Sequence, residues 1–346
     1  MRISALIILM GILLLSPVMA QVDRPLEIVA ELDLRPGNVA VSSDGRVFTT
    51  IHPLADPDIQ LVEITGKNSY EVFPGPAYQK NGGKAEDDKF DTPLGVRIDQ
   101  DDVLWVIDMG QNLGKTRLFG FDINTKKEIY RFDFPPEIAP VGSFIQDLAV
   151  DEDHGWIYLA DIANPGLIAL NMESREARRF ANATVEAENI DMLIDGKLIY
   201  FAGSPARVAV NPVTLSGDHE TLYYGAMNGT TWYQLPSAMF REGATDYAIE
   251  RAIKVVGPKP VSDGAITDQD GNHYFTNLQH HGIDVLTTSG ELKPLVRDAK
   301  IDWADNVALD GRGWIYLTVN QLHKTPAFTG NSDQGKPPYY IFRAKL

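Results

Sequence analysis

Glu27 to Leu34 alternates polar and apolar residues in the period of a half-exposed strand, and after it one hairpin phrase returns six times. The phrase is a small or polar start, alternating apolar residues, a turn rich in Asp, Gly or Asn, and a second strand carrying an aromatic. Its copies are Gly37-Asn38-Val39-Ala40-Val41 with Val47-Phe48, Leu94-Gly95-Val96-Arg97-Ile98 with Leu104-Trp105-Val106, and Gln146-Asp147-Leu148-Ala149-Val150 with Trp156-Ile157-Tyr158. Three more follow: Ala206-Arg207-Val208-Ala209-Val210 with Leu222-Tyr223-Tyr224, Asp263-Gly264-Ala265-Ile266 with His273-Tyr274-Phe275, and Asp305-Asn306-Val307-Ala308-Leu309 with Trp314-Ile315-Tyr316.

The starts at 37, 94, 146, 206, 263 and 305 leave room for one four-stranded sheet per copy. An isolated hairpin cannot bury both faces, so repeated sheets must supply each other's cores, and this period predicts an all-β, six-bladed β-propeller. A β-sandwich is the alternative, but it gives no reason for one phrase to recur six times. Glu27 to Leu34 and the C-terminal Tyr339 to Arg343 are expected to share a blade and close the ring. Gly75 to Thr92 and Thr325 to Pro338 read as long loops by composition. Ser174 to Glu188 and Pro236 to Glu250 are candidates for short helices or outer-strand insertions.

Residues 1–20 carry Arg2, an apolar run from Ala5 to Leu15 and small residues before Gln21, the pattern of a secretory signal peptide, which leaves 21–346 as one propeller domain. The run is too short to span a bilayer comfortably, so no membrane insertion is expected after cleavage, and the location is secreted or periplasmic. Without its leader the chain has 30 basic against 47 acidic side chains, a net charge of −17, which sets nucleic acid aside as a partner. The chain has no cysteine, so thiol catalysis, cysteine zinc sites and disulfides are all absent. There is also no G-x-S-x-G elbow, P-loop, G-x-G-x-x-G after a strand or H-E-x-x-H.

The chemistry is expected on one face. In an antiparallel hairpin the first strand starts where the second ends, so the starts and exits share one mouth of the channel while the turns share the other. Asp263 and Asp305 hold matching positions in adjacent repeats. They are candidates to share a divalent cation such as calcium with Asn306, or for one of them to hold a raised pKa as an acid or base. Arg207 is the positive charge among the starts, placed either to bind an anionic oxygen or to pair with Asp147 or Asp263. These three are the catalytic candidates. Asn38, Gln146, Asp147, Asp108, Asp161, His281 and His323 are ligand-binding candidates. Asp44, Asp151, Asp268, Asp270 and Asp310 fall in the opposite turns and read as turn formers.

Several segments resemble the major royal jelly and Yellow protein family. They are Pro93 to Asp99 leading to Leu104 to Gly110, Phe119 to Thr125, Ile157 to Asp161 leading to Gly166 to Ala169, Val208 to Pro212 followed by Thr221 to Tyr224, and Ser262-Asp263-Gly264. The resemblance implies a secreted six-bladed propeller, and members linked to dopachrome conversion or to binding small amines in the channel. The absence of cysteine departs from insect members and implies a bacterial exported form. Asp263 before Gly264 is also similar to the metal-ligand pattern of gluconolactonase-type propellers, whereas Leu94 before Gly95 is not. The expected function is therefore small-molecule binding at the channel mouth, with lactone hydrolysis or tautomerisation as its chemistry. A non-catalytic scaffold is the alternative, its protein partner unspecified by the sequence.

Overall fold

Six four-stranded antiparallel sheets, five of them built on the inner hairpins of the expected repeats, make up the computed structural model, which describes residues 24–346. The leader expected at residues 1–20 lies outside them. Blade one is Pro36–Val41, Val47–Ile51, Leu61–Gly66 and Ser69–Val72. Blade two is Pro93–Ile98, Val103–Asp108, Arg117–Asp122 and Lys127–Asp133, and blade three is Ile145–Asp151, Trp156–Asp161, Gly166–Asn171 and Ala177–Phe180. Blade four is Val210–Leu215, Thr221–Ala226, Thr231–Pro236 and Lys254–Pro258, and blade five is Ala265–Thr267, His273–Asn277, Gly282–Leu286 and Leu292–Arg297. In blade six Ala304–Leu309, Trp314–Val319 and Tyr339–Lys345 are completed by Glu27–Leu32 from the other end of the chain. The molecule is a six-bladed β-propeller, closed as its alternating ends predict.

The repeat is out of phase in blade four. Its inner strand begins at Val210, four residues after the expected start at Ala206, so Asn211-Pro212 takes the place that Asp263-Gly264 holds in blade five. Arg207-Val208-Ala209 alternates like a strand because its backbone does pair, with Met227 N–H donating to Ala209 O and Asn228 N–H to Val208 O, but this pairing precedes the blade.

A register shift interrupts the inner hairpin near its start in blades one, two, three, four and six. Such a bulge leaves a residue unpaired and re-aims its side chain, here toward the axis. Glycine at this level lets neighbouring blades touch through their backbones: a Cβ on Gly264 would lie 2.7 Å from Asn306 Cα, and one on Gly95 would lie 2.6 Å from Gln146 O. Apolar cores fill the spaces between blades. Trp105, Ile107, Leu148, Ile157 and Leu170 join blades two and three, and Tyr158, Phe180, Val213, Tyr224 and Phe240 join blades three and four.

One connector departs from the repeat. Between blades three and four the chain makes two small hairpins, Leu193–Ile194 with Lys197–Leu198 and Tyr200–Phe201 with Ser204–Pro205. The turn pairs Asp195-Gly196 and Ala202-Gly203 all have positive φ, as tight two-residue hairpins require. Ile194, Ile199 and Val208 of this connector pack with Met227, Leu278, Trp303 and Leu322 in a separate apolar cluster. The connector forms a cap over one mouth of the channel.

Candidate functional site

The two mouths differ as the hairpin geometry requires. Residues from all six inner turns, including Ser43, Asp99, Glu152, Ser216, Asp268 and Asp310, line a wide bowl of about 530 Å³. Its carboxylates largely serve their own turns: Asp268 accepts from the Asp270 and Asn272 amides, and Asp310 from those of Arg312 and Trp314. At the other mouth, under the cap, lies a cavity of about 250 Å³. Its walls are mostly apolar, with Phe144, Ile162, Phe201, Met227, Trp303 and Phe328 among them, and its polar side chains are His52, Gln146, Arg207 and Asp263. A concave apolar pocket with a few convergent polar groups is the usual form of a small-molecule site.

Asp263 is the centre of this arrangement. Its Oδ1 accepts from Gln146 Nε2 at 2.7 Å and Asn211 Nδ2 at 2.9 Å, and its Oδ2 accepts from Trp303 Nε1 at 2.7 Å. The three donors come from blade three, blade four and the segment entering blade six. Burial nevertheless dominates and pushes the Asp263 carboxyl up to about 7, with the charge of Asp147 adding to the rise. Asn211 Oδ1 is buried and has no partner. An ionised Asp263 takes the Asn211 amide N–H; a protonated one can donate to the oxygen if that amide turns over.

Asp305 lies behind. Its Oδ2 accepts from Asn320 Nδ2 at 2.6 Å, and burial, then the charge of Asp263, raise its pKa well above the usual carboxylate range. His52 Nε2 is 3.7 Å from the same oxygen. Its Nδ1 accepts from Leu54 N–H at 3.2 Å, so the neutral ring carries its proton on Nε2. Burial pushes the imidazole down to about 3, so the contact with Asp305 is not an ion pair.

A second polar layer separates cavity from bowl. Arg97, on the inner strand of blade two, donates to Asp147 Oδ1 at 3.1 Å, Asn306 Oδ1 at 3.1 Å and Ala265 O at 3.3 Å. Asp147 also accepts from the Leu148 and Val213 amides. Asn38 donates to Gln146 O at 3.0 Å, tying blade one to blade three. Asn38, Asp147 and Asn306 are therefore channel residues engaged in joining blades.

The remaining candidates point elsewhere. Asp108 is held by Arg117 at 2.7 Å and by the amides of Asp91, Thr92 and Gly110, and Asp161 by Arg179 at 2.5 Å and the amides of Phe144, Ala163 and Asn164. Both brace the outer strands of their blades. His323 stacks behind Trp303 with ring centroids 5.8 Å apart, and His281 holds Asp195 of the cap. Arg207 lines the cavity, but its guanidinium pairs with Asp191 at 2.7 Å and bonds to Asn189 and Ala206 O, rather than to Asp147 or Asp263, the pairing that was one of its two expected roles. The reason is the shifted repeat, which places Arg207 in the connector ahead of the blade.

The donor set around Asp263 does not fit the expected cation. Three N–H groups converge on its oxygens, and an indole N–H has no lone pair to offer a metal. Among the described residues no group of three or more His, Asp or Glu side chains is disposed to hold one. Trp303, Asn211 and Arg97 were not among the expected site residues. Trp303 has a positive φ of 65°, unusual for a bulky side chain, and so occupies a backbone conformation that its surroundings must impose.

Comparison with known proteins agrees with this architecture. Residues 92–341 match the family model described as Major royal jelly protein. The chain is similar to Major royal jelly protein 6 of Apis mellifera, 22% identical over 263 residues that cover 66% of this chain and 56% of that protein. It is also similar to Protein yellow of Drosophila melanogaster, 29% identical over 252 residues covering 67% of this chain and 46% of that protein. The chain thus matches about half the length of these curated relatives. Solved structures of similar shape include a gluconolactonase from Xanthomonas campestris, with a TM-score of 0.57, 12% identity and coverage of 94% of this chain and 92% of that one. Virginiamycin B lyase from Staphylococcus aureus gives 0.55, 13% identity, and 93% and 99% coverage. At such identities the likeness is one of fold.

Proposed function

The chain belongs to the major royal jelly protein family, and we propose that it is an exported propeller whose channel cavity takes up a small, largely apolar or aromatic molecule and moves a proton on it through Asp263. The observation that carries this reading is a carboxyl pushed up to about 7 on the wall of an apolar cavity. A group poised near neutrality can both take and return a proton at working pH, and positioned acid–base catalysis of this kind typically contributes about 10²–10⁴-fold in rate.

The chemistry supported best is tautomerisation. Asp263 as carboxylate removes a proton from one position of the bound molecule and returns it at another, so the ligand is isomerised and the carboxylate regenerated. The His52 Nε2–H lies on the same cavity and supplies a hydrogen bond to a developing enolate or phenolate oxygen. Gln146, Asn211 and Trp303 hold the carboxylate in place between its two protonation states. Asp305, itself raised by burial and by Asp263, disfavours two adjacent negative charges and keeps one proton in the pair. Lactone opening asks for more, namely a placed water and a partner for the tetrahedral oxyanion, and is the second reading, motivated by the gluconolactonase-like fold.

A turnover screen with dopachrome-type quinones, other enolisable aromatic compounds and lactones tests this assignment. Isomerisation lost in Asp263→Asn supports it; isomerisation unchanged in Asp263→Asn and Asp305→Asn removes it. The proposed export predicts a mature N-terminus at Gln21, read by sequencing the protein recovered outside the cytoplasm.

A further inference from the structure

Besides its apolar packing, the cap meets the body of the propeller through a histidine in an unusual bonding position. His281 follows the short turn Leu278–His280 in blade five. Its Nδ1 lies 3.0 Å from Ile301 O, and its Nε2 lies 2.9 Å from Asp195 Oδ1 at the tip of the first cap hairpin. Both partners are pure acceptors. A neutral imidazole has one N–H and one lone pair, so either tautomer turns a lone pair toward an oxygen at hydrogen-bonding distance. Only the imidazolium, with two donors, satisfies both contacts.

We propose that the His281–Asp195 contact is a proton-operated latch, which holds the cap over the channel cavity in acid and releases it as the pH rises. The titratable and charged groups around this contact are Lys197, Asp298, Asp302, His323 and Lys324. On the hairpin, Lys197 is the other charge near Asp195. From the blade-six side, Asp302 is engaged by Lys324 at 2.5 Å, and burial pushes His323 down to about 4, which leaves it neutral. Asp298, whose amide bonds to His281 O, turns its own carboxylate to the Lys300 amide. The hydrogen bond from His281 in turn holds the Asp195 carboxyl below the usual aspartate range.

Opening the latch bears on access because the cap carries part of the cavity wall. Phe201 sits in the second cap hairpin and packs on Phe328 with centroids 4.9 Å apart, while Ala202 N–H donates to Ala327 O at 2.9 Å. Phe201, Arg207 and Val208, all from this connector, line the cavity. With the first hairpin loose, the second keeps these contacts at its tip and the apolar packing of Ile199, Ala206 and Val208 on the body. Histidine is the side chain whose charge ordinarily changes between about pH 5 and 8, which is what lets such a contact respond to pH. Its consequence for ligand exchange rests on the cavity being the ligand site; the latch itself does not.

Hydrogen exchange of the full chain tests the latch. Protection of residues 192–206, corrected for intrinsic exchange, should fall severalfold from about pH 5 to about pH 8 in the native protein. In Asp195→Asn it should be low throughout. Protection that follows the same pH course in Asp195→Asn as in the native protein would overturn the proposal. Indole exchange measured alongside separates the two readings. A pH-dependent cap in a protein that binds no indole or other small aromatic supports the latch and removes the cavity reading, whereas a pH-insensitive cap removes the latch whatever indole does.

Discussion

Trp303 and Asp263 are joined across a blade boundary: the indole Nε1–H donates to Asp263 Oδ2 at 2.7 Å, and both side chains are buried against the channel cavity. The bond couples the backbone entering blade six to the carboxyl at the start of blade five. It positions the acid and, with the bonds from Gln146 and Asn211, favours its ionised form.

Replacing Trp303 with Phe keeps most of the apolar wall and deletes that donor. A hydrogen bond to a charged group contributes about 1.5–3 kcal/mol, so the Asp263 midpoint should rise by about one to two pH units. Carboxyl-carbon NMR of labelled Asp263 reads the shift directly. A midpoint that stays put would mean that Gln146 and Asn211 alone set the ionisation.

Stability should carry the mark of the same carboxyl. With its folded pKa raised to about 7, Asp263 keeps a proton that the unfolded chain has already lost. The unfolded state binds fewer protons, so this group's contribution falls as the pH rises from the ordinary aspartate value near 3.8 to about 7 and then levels off. His52, pushed down to about 3, acts in the opposite sense: the unfolded chain protonates first, and stability is lost as the pH falls below the ordinary histidine range. Urea unfolding across this range should show Asp263→Asn gaining on the native protein as pH rises to about 7, with a constant difference above about 8. His52→Asn should show the converse slope in acid.

Arg97 is expected to be a large single contributor to the channel's polar layer. Arg97→Met leaves Asp147 buried beside Asn306 with no counter-charge, a loss of about 3–5 kcal/mol by the usual cost of breaking a buried pair from one side. Adding Asp147→Asn should recover part of it, because no uncompensated charge then remains. Chemical denaturation of the single and double variants measures both steps; an additive double variant would show that the two residues act independently.

The frame of this molecule was open to reading from its strands because the repeat is physical. Alternation, turn residues and an aromatic on the second strand are what each blade needs to pack on the next, and five of the six phrases and the closing strands took their places, the fourth starting its blade four residues late. The site was only partly open. Asp263, Gln146 and Asp305 stood at hairpin starts, where geometry sends side chains to the axis. Arg97 stands near the end of its strand, away from the hairpin starts, where sequence does not distinguish a channel-facing residue from a solvent-facing one. Asn211 was hidden by the alternating Arg207-Val208-Ala209, which imitates a blade start four residues early. Trp303 precedes its strand, and its inward aim depends on a backbone conformation that no residue pattern announces.

Calorimetric titration of a set of small aromatics, with indole, phenol, tyramine and phenylpyruvate among them, against the native protein, Asp263→Asn and the cavity-filling Met227→Trp bears on whether the capped cavity is the working site. At least one compound should bind the native protein and lose about tenfold or more in affinity in both variants, as expected when one charge-assisted hydrogen bond or the room for the ring is removed. Binding that survives both substitutions unchanged, or no binding by any compound to the folded native protein, would contradict it.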